Sequence, residues 1–484
     1  MIKIKIVINI LGVLLGINGV LMLVGLPFSI YYGSDDILAI LFASGMTITT
    51  GLAMWGLTRN INTRDLGRRE GYLIVTLGWV IMSFFGSLPF LFSGAIPNFT
   101  DAFFETISGY TTTGASILNN IESLPKGILL WRSMTHWIGG MGIIVLSLAI
   151  LPILGVGGMQ LFIAEVPGPT PDKINPRVTG TAKRLWFIYV LLTVSEIVLL
   201  MLGGLNLFDA INHAFATMAT GGFSTKQDSI AFYNDNPFAQ YVIMLFMYLA
   251  GVNFSLHYYA LKRRFQKVWG NEEFRVYTGS ILMVAISLAG GLSMTTDFSL
   301  EESFRHGLFT VLTIVTTTGF VTVDYEAWVP ALTFLVFMLM FTGGSAGSTG
   351  GGIKTARIIL LIKNSFIELK RLVHPRAVIP VRLNGEAIPL DVMSKVLSFF
   401  MIYMLTFIMS SFIMSCMGLD FISAMGSVIA SLGNIGPGFG IVGPVSNYAE
   451  IPSLGKWFLS FLMLLGRLEL FTVVILFAPA FWRK

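Results

Sequence analysis

A short polar string centred on glycine occurs four times in the chain, each time between a short and a long apolar segment. The copies end at Gly114, Gly222, Gly319 and Gly436, which are separated by 108, 97 and 117 residues. The first and third copies read Thr-Thr-Thr-Gly, the second reads Ala-Thr-Gly-Gly, and the fourth reads Gly-Asn-Ile-Gly. Repetition at a similar spacing predicts four related units in one chain.

The residue types in these strings predict backbone that binds a cation. Glycine lets successive carbonyl groups turn toward one axis, because it has no Cβ to obstruct that conformation. Carbonyl oxygens can replace the water shell of an ion inside a membrane, and Thr hydroxyls can add acceptors or support the loop. Chance turns between helices would not explain four matching copies. The candidate cation-binding residues are Thr112, Thr113, Gly114, Thr220, Gly221, Gly222, Thr317, Thr318, Gly319, Asn434, Ile435 and Gly436.

The composition predicts an integral membrane protein. Of the 484 residues, 54% are hydrophobic and 12% are charged, with a mean hydropathy of +0.77, whereas soluble domains carry about 25% charged residues. The single cysteine, Cys416, excludes a disulfide framework and a cysteine metal cluster. The five histidines show no metal-ligand spacing, and no nucleophile–base pair, phosphate loop or carboxylate pair stands out. We therefore expect neither an enzyme nor an organic cofactor.

Charge alternates along the chain. The basic clusters fall in every second loop, so the net charge of +5 indicates topology rather than nucleic-acid binding. By the positive-inside rule both termini and these loops are expected to be cytoplasmic. The other loops are acidic, and an acidic mouth would concentrate cations, although some carboxylates could instead be solvated or cap helices. These acids are Asp35, Asp36, Asp101, Glu105, Glu122, Asp228, Asp235, Asp297, Glu301, Glu302, Asp324 and Glu326.

Apolar segments predict an all-α membrane fold with an N-terminal two-helix hairpin at residues 4–31 and 36–58. Four units follow, each built as helix, half-helix, glycine loop and helix, around one pseudo-fourfold pore. The second helices are expected near residues 127–155, 238–262 and 455–480, and only the third unit's is expected to be interrupted. The predicted boundaries are 1–69 for the hairpin and 70–160, 161–270, 271–370 and 371–484 for the four units.

The half-helices, near residues 100–110, 301–315 and 420–432 and from Asp209 onward, are too short to cross about 30 Å of hydrocarbon. They must enter the membrane and turn back, which directs their C-terminal, partly negative ends toward the central cavity. Asp101 is expected to cap the free N–H groups at the start of the first half-helix. Asp101 lies 13 residues before Gly114 and Asp209 lies 13 residues before Gly222, which favours Gly222 over Gly221 as the second central glycine.

The third unit contains a glycine-rich interruption at 342–354. A helix cannot readily continue through six glycines in eleven residues, because each costs about 1 kcal/mol. We expect two half-helices joined by a polar loop that gates the pathway below the glycine loops. A packing break or a cytoplasmic linker is the alternative. The candidate gate residues are Gly343, Gly344, Ser345, Gly347, Ser348, Gly350, Gly351, Gly352 and Lys354, together with Arg467.

Arg467 lies midway through the last apolar segment. A cation at membrane depth is costly and usually faces a bundle interior or a cavity. It could act as an electrostatic barrier or contact the gate, or it could form an internal salt bridge. Glu469, two positions away, is a poor partner on the same helix face. Glu196 and Arg132, also in or near apolar helices, are interpreted as structural.

Several motifs together resemble the Trk/Ktr/HKT superfamily of potassium transporters, and specifically its bacterial TrkH/TrkG branch. The resemblance covers the whole chain. Its residues are Ser108 to Gly114, His136-Trp137-Ile138-Gly139-Gly140-Met141-Gly142, Thr220 to Thr225, Thr316 to Phe320, Gly343 to Lys354 and Asn434 to Gly438.

The resemblance implies a potassium-uptake pore of four M1-P-M2 units in the bacterial cytoplasmic (inner) membrane, with K+ as the transported ion. It implies a homodimer with two separate pores and a cytoplasmic TrkA-type ring of nucleotide-binding regulatory subunits on the basic loops. It also implies that the four glycines line the filter and that Arg467 contacts the gate. Sodium-permeable members have Ser at the first filter glycine, so Gly114 favours potassium.

Two other functions stay open at this point. An alternating-access symporter driven by protons or sodium would also use broken helices near the membrane midplane, although such folds usually contain inverted repeats. A less selective pore for potassium and sodium would fit the divergent second and fourth loops. A membrane-embedded enzyme would need paired acids or metal ligands in one cavity, and the sequence contains no such pattern.

Overall fold

The computed structural model describes residues 2–60, 67–142 and 178–483. These residues are mostly helical and contain only four two-residue strands. The helices are α1 (Ile4–Met22), α2 (Leu26–Tyr32), α3 (Ile37–Leu57), α4 (Arg68–Gly86), α5 (Leu88–Phe92), α6 (Phe99–Tyr110), α7 (Lys126–Gly140), α8 (Val178–Leu202), α9 (Leu207–Met218), α10 (Pro237–Ala250), α11 (Phe254–Leu261), α12 (Phe265–Trp269), α13 (Glu272–Thr295), α14 (Leu300–Val315), α15 (Pro330–Leu339), α16 (Thr355–Val373), α17 (Leu390–Cys416), α18 (Phe421–Leu432), α19 (Ser453–Arg467), α20 (Phe471–Val474) and α21 (Pro479–Trp482).

Six helical segments in the described residues are long and apolar enough to cross a membrane, and two further pairs qualify if each bent pair is one span. The all-α membrane fold is thereby confirmed. The six segments are Ile4–Tyr32, Ile37–Leu57, Arg69–Phe92, Ala182–Leu202, Glu272–Thr295 and Leu390–Cys416.

The N-terminal hairpin packs closely because glycines face each other. A Cβ on Gly12 would lie 2.7 Å from the carbonyl oxygen of Gly51, and one on Gly51 would lie 2.6 Å from the backbone nitrogen of Gly16. Small residues allow this approach between membrane helices. The hairpin also supports the first unit, since Tyr110 donates a hydrogen bond to Asn18 over 2.6 Å.

The half-helices α6, α9, α14 and α18 match the predicted segments, but their caps differ from the expectation. Asn98 and Asn206 cap α6 and α9 through their side-chain oxygens. Asp101 instead pairs with Lys456 at 2.6 Å, and Asp209 accepts a hydrogen bond from Thr225 over 2.6 Å. The prediction that Asp101 caps α6 is therefore wrong, because Asn98 just upstream occupies the cap position, as Asn206 does in α9.

The second helices of units two and four are broken, contrary to the expectation of continuous helices. The α10 and α11 axes meet at 104°, and the axes of Ser453–Arg467 and Phe471–Phe477 meet at 111°. At the first break Asn253 caps the new helix by accepting from the Ser255 N–H. At the second, Leu470 has φ +34°, and nothing local in the sequence indicates it.

In unit one α7 ends at Gly140, and the rest of the predicted helix near 127–155 lies outside the described residues, as does the 160/161 unit boundary. The interruption expected in unit three is present between α15 and α16. It contains two short strands, β1 (Thr342–Gly343) and β2 (Ile353–Lys354), which pair in parallel. These strands were not predicted.

On the side of the basic loops, α16 continues to Val373 and leads into a hairpin of β3 (Arg382–Leu383) and β4 (Glu386–Ala387). Leu360, Val381, Met393 and Val396 form a small second core beneath it. This hairpin therefore packs against the base of α16 and α17.

Candidate functional site: four glycine loops above an intramembrane loop

Each half-helix ends in the same backbone turn, formed by what we call the glycine loops (residues 111–114, 219–222, 316–319 and 433–436). The third-last loop residue has a left-handed conformation, with φ of 53° at Thr112, 55° at Thr220, 58° at Thr317 and 55° at Asn434. The next N–H returns to the helix, as from Thr113 to Ser108 over 2.9 Å. This is the hydrogen-bond pattern of a helix C-cap that usually requires glycine.

The same return hydrogen bond occurs in the other three loops at nearly the same length. The donors and acceptors are Gly221 to Ala216 (2.8 Å), Thr318 to Thr313 (2.8 Å) and Ile435 to Ala430 (2.9 Å). These N–H groups are therefore bound by the half-helices, and the same backbone turn is kept in all four loops.

The central glycines also have positive φ, of 79° at Gly114, 81° at Gly222, 80° at Gly319 and 98° at Gly436. Gly222 therefore occupies the position equivalent to the other three. Residues other than glycine rarely adopt this conformation. The same backbone conformation is therefore repeated in all four loops, and it explains why each contains glycine at this position.

The four glycines form a closed ring of backbone contacts. A Cβ on Gly114 would lie 2.0 Å from the Gly221 carbonyl oxygen, and one on Gly222 would lie 2.1 Å from that of Thr318. The ring continues from Gly319 to the Ile435 oxygen at 1.9 Å.

The ring closes less tightly between the fourth and first loops. A Cβ on Gly436 would lie 2.6 Å from the Thr113 carbonyl oxygen. In addition, the Gly436 carbonyl accepts a hydrogen bond from the Tyr448 hydroxyl over 2.6 Å. One carbonyl of the fourth loop is thus already occupied, and the constriction is not fully fourfold.

Pairs of threonine hydroxyl groups within the first and third loops contact each other. The Thr111 and Thr113 hydroxyls lie 2.8 Å apart, and those of Thr316 and Thr318 lie 2.7 Å apart. In the fourth loop the Asn434 amide replaces this pair and donates to the Thr113 hydroxyl over 3.0 Å. The divergent fourth loop is therefore connected to the first by a side chain.

A buried ion pair lies behind the first two loops. Arg132 Nε donates to Glu105 Oε1 over 2.7 Å, and both side chains are almost fully buried. The guanidinium also donates to the Ser224 carbonyl over 2.9 Å and lies 3.6 Å from the centre of the Phe223 ring. Arg132 is thus structural, as the sequence indicated, and joins units one and two.

His136 holds the second loop from the same side. Its Nδ1 lies 2.7 Å from the Gly109 carbonyl oxygen, and its Nε2 accepts from the Phe223 N–H over 3.2 Å. The ring stacks on Phe223 with 3.9 Å between centroids. Sequence reasoning missed the supporting roles of Glu105 and His136, although a polar residue inside an apolar segment is a usable signal for both.

The intramembrane loop, residues 342–354, lies directly beneath the glycine loops. The Gly351 N–H donates to the Thr317 hydroxyl over 2.7 Å, and a Cβ on Gly350 would lie 2.8 Å from the Thr316 carbonyl oxygen. The Thr349 hydroxyl donates to the Met218 carbonyl over 3.1 Å. The loop therefore contacts the ends of the second and third half-helices.

Its remaining glycines and serines hold the loop against its neighbours. A Cβ on Gly351 would lie 2.5 Å from the Gly433 carbonyl oxygen, which extends the contact to the fourth loop. The Ser345 N–H donates to the Gly251 carbonyl over 2.8 Å, and the Gly347 carbonyl accepts from the Phe254 N–H over 3.1 Å. The loop thus also packs against the break between α10 and α11.

Arg467 joins this loop to the first unit. Its guanidinium donates to the Thr349 carbonyl over 2.7 Å and to the Gly139 carbonyl over 2.6 Å. Glu469 pairs instead with Arg357. The alternative of an Arg467–Glu469 salt bridge therefore does not describe the structure, and the arginine contacts the intramembrane loop.

Lys354 is also buried, and its ammonium group donates to the Gly350 carbonyl within the same loop. It neither faces the cytoplasm nor forms a direct ion pair among the described residues. Beneath the loop lies a cavity of about 220 Å³, lined by charged groups that include Glu273, Lys354, Arg467 and Glu469.

The acidic outer loops only partly form the expected mouth. Asp36 and Glu105 are fully buried, and Asp36 accepts the Ile128 N–H at the start of α7 over 2.9 Å. These two acids are therefore structural, and the expectation that they face the mouth is wrong. Burial raises the pKa of the Glu326 carboxyl in the outer loop. Of the acids predicted to form the mouth, those with exposed side chains are Asp35, Glu122, Asp228, Asp235, Asp297 and Glu301.

The chain was compared with known families and structures. Residues 39–484 match the family model TrkH, described as "Cation transport protein". The chain is 41% identical to the Trk system potassium uptake protein TrkH of Halomonas elongata over the full length of both chains. It is 45% identical to the protein of the same name from Escherichia coli K12, over 91% of each chain.

Among solved structures, the crystal structure of the potassium transporter TrkH from Vibrio parahaemolyticus is similar over all of both chains, with a TM-score of 0.89 and 37% identity. The family model covers most of the sequence, and the fold agrees throughout. The chain therefore belongs to the TrkH family of cation transport proteins.

Proposed function

We propose that the chain mediates potassium uptake across the bacterial cytoplasmic membrane through a pore formed within one chain. Membership of the family and the names of the relatives, which are potassium uptake proteins, support this function. The arrangement of the glycine loops supports the same conclusion independently of any name. The transported K+ is cargo and not a resident cofactor.

The observation that carries the proposal is the closed ring in which each central glycine faces a carbonyl oxygen of the next loop. The carbonyl oxygens of Thr113, Gly221, Thr318 and Ile435 lie at these four junctions. Such oxygens can replace the water shell of a monovalent cation. Four half-helices also direct their C-terminal ends to this region, and their partial negative charges favour a cation there. The ion would shed water at the ring and re-enter water below it.

The intramembrane loop and Arg467 would close the pathway under the ring. The support is their position: the loop contacts the ends of the second, third and fourth half-helices, and Arg467 ties it to unit one. A positive side chain below a cation-binding ring raises the energy of a passing cation. Conduction would then require the loop and the arginine to move together.

A cytoplasmic ring of regulatory, nucleotide-binding subunits of the TrkA type and a homodimer of two pores complete the proposal, as the family resemblance implies. For the ring, support comes from an exposed basic stretch formed by Lys262, Arg263 and Arg264, between α11 and α12, and by Lys267 in α12. Both termini would lie on the same, cytoplasmic side.

A second candidate is a pore that discriminates weakly between potassium and sodium. The asymmetric fourth loop favours it, because Gly436 approaches its neighbour less closely and its carbonyl is bound by Tyr448. A constriction with fewer equivalent carbonyls would hold potassium less specifically.

Ion flux into vesicles separates these candidates. We expect purified wild-type protein to prefer rubidium over sodium and Gly319→Ser to weaken that preference, because the new Cβ would meet the Ile435 carbonyl at 1.9 Å. Gly204→Ser is a matched control, since Gly204 has φ +89° but open space around it. An unchanged preference in Gly319→Ser would contradict the filter assignment. Weak discrimination in the wild type would favour the second candidate.

Two further measurements address the other functions. Growth rescue of a host deficient in potassium uptake would test potassium transport in cells. A flux that depends on a proton or sodium gradient, at carrier-like rates, would indicate an alternating-access symporter instead.

A further inference from the structure

One carboxylate outside the intramembrane loop contacts both the loop and the start of the helix that follows it. Glu273 stands in the first turn of α13, and its Oε1 accepts the Ala346 N–H over 2.6 Å and the Ala356 N–H over 3.1 Å. The side chain is only 6% exposed. Ala346 lies inside the loop, between Gly344 and Gly347, and Ala356 lies in the first turn of α16. One side chain therefore connects the loop, and the helix that the loop leads into, to α13.

These two N–H groups are favourable partners for a negative charge. Ala356 lies in the first turn of α16, where backbone N–H groups are not used within the helix. The positive end of the helix dipole adds to the attraction. Hydrogen bonds from N–H groups to a carboxylate are roughly twice as strong as those to a neutral oxygen. The Glu273 contact is therefore stronger than an ordinary loop contact.

The two ends of the loop are held near each other by hydrogen bonds between them. The Thr355 N–H donates to the Gly344 carbonyl over 3.0 Å, and β1 pairs with β2. Those bonds hold the two ends of the loop together. They do not attach the loop to the surrounding helices. Glu273 is attached to a different helix, α13, and so connects the closed loop to the surrounding bundle.

We propose that Glu273 is a positioning residue that holds the intramembrane loop in the closed place beneath the glycine loops. This inference rests on the proposed function, in which the loop closes the pathway. Loss of the Glu273 contact would free the loop and the start of α16 from α13 and favour withdrawal of the loop from the Thr317 hydroxyl.

The neighbouring Glu272 offers a matched control. It lies in the same turn of α13 and is also a paired carboxylate, but its partners are Lys363 and the β3–β4 hairpin. The Glu272 N–H donates to Asn384 over 2.7 Å, and the Asn384 N–H donates back to Glu272 over 3.2 Å. Removing its charge alters the same surface without touching the loop.

The test uses full-length protein in vesicles with two readouts. The first is rubidium uptake. The second is the rate at which a cationic thiol reagent labels Ser348→Cys in a Cys416→Ser background, where Cys416 is the native cysteine. Ser348 lies in the loop and is 7% exposed, so labelling reports movement of the loop without any flux.

We expect Glu273→Gln to raise both uptake and labelling by about tenfold, the change that weakening two charge-assisted hydrogen bonds produces in a two-state equilibrium. Glu273→Ala should raise them at least as much. Glu272→Gln should change uptake and labelling by no more than about twofold, because surface substitutions usually have small effects. The rubidium-over-sodium preference should be the same in all variants.

Three results would overturn the proposal. Wild-type rates of uptake and labelling in both Glu273 variants would show that the contact does not hold the loop. Reduced uptake and thermal stability without faster labelling would show a merely structural role. Equal effects of the Glu272 and Glu273 variants would assign the effect to the surface of α13. If wild-type vesicles take up no rubidium, the proposed function fails, while labelling still tests the position of Glu273.

Discussion

The glycine loops and the intramembrane loop lie one above the other but are built in opposite ways. The glycine loops repeat one backbone turn four times, with the left-handed residue and the positive-φ glycine at matching positions. The intramembrane loop occurs once, in unit three, and is held by side chains from elsewhere, among them Arg467 and Glu273. Among the described residues, the second helices of units two and four are broken as well, after Ala250 and after Arg467.

This difference fits the two tasks proposed above for these regions. Backbone groups connected in a ring cannot move independently, so they suit a constant task such as measuring the size of an ion. Contacts made by a few charged side chains can break and re-form, so they suit a task with two states. The buried Glu105–Arg132 pair supports the ring from outside, because Arg132 binds the Ser224 carbonyl just after the second glycine loop.

The largest effect is expected from breaking that buried pair. Glu105→Ala leaves Arg132 buried and without its carboxylate, which costs about 3–5 kcal/mol in the free energy of unfolding. Thermal unfolding in detergent would measure the loss. The control is Glu105→Met with Arg132→Met, which removes both charges and should recover much of the stability. Equal destabilisation by the single and double variants would contradict the pairing argument.

The next effect tests the ring itself. Gly319→Ala and Gly436→Ala add the same methyl group at equivalent positions, with clearances of 1.9 Å and 2.6 Å. Overpacking at the tighter junction should cost about 2 kcal/mol, or roughly thirtyfold in the rubidium-over-sodium preference. The change at Gly436 should be smaller. Flux assays in vesicles would measure both, and a larger effect at Gly436 would contradict the asymmetry of the ring.

A smaller effect is expected at Arg467. Arg467→Ala removes the donor to Thr349 and Gly139 and the positive charge below the ring. A charged hydrogen bond contributes about 1.5 kcal/mol at the lower end of its range, and the loss of one such bond from the closed state should raise rubidium flux by about tenfold. Arg467→Lys keeps the charge and should raise rubidium flux less than Arg467→Ala. Misfolding without any increase in flux would indicate that the arginine is purely structural.

The smallest effect is expected at the hydrogen bond that connects the two regions. Thr317→Val removes the acceptor of the Gly351 N–H, which contributes about 1 kcal/mol and should raise flux up to about fivefold. Thr112→Val is the matched control: it occupies the same loop position, and the Thr112 hydroxyl has no hydrogen-bond partner among the described residues. Equal changes in both variants would show that Thr317 acts on the ring and not on the intramembrane loop.

Sequence reasoning located the elements better than their contacts. The half-helices, the N-terminal hairpin and the interruption at 342–354 lie where the apolar pattern placed them. The breaks after Ala250 and Arg467 were missed, because a helix that bends inside a bundle keeps its apolar composition on both sides of the bend. The pairings of Asp101 with Lys456 and of Glu105 with Arg132 were missed. In each pair the partners lie on different helices, and no local sequence pattern connects them.

Composition and repetition alone determined that this is a helical membrane protein with four related glycine-centred loops. Those properties depend on which residue types can stand in lipid and which can adopt positive φ, and both are local. Tertiary structure decided that each glycine meets a carbonyl of the next loop, that Arg467 binds the intramembrane loop rather than Glu469, and that Glu273 connects that loop to α13. Such contacts depend on how separate helices approach one another, which no single segment contains.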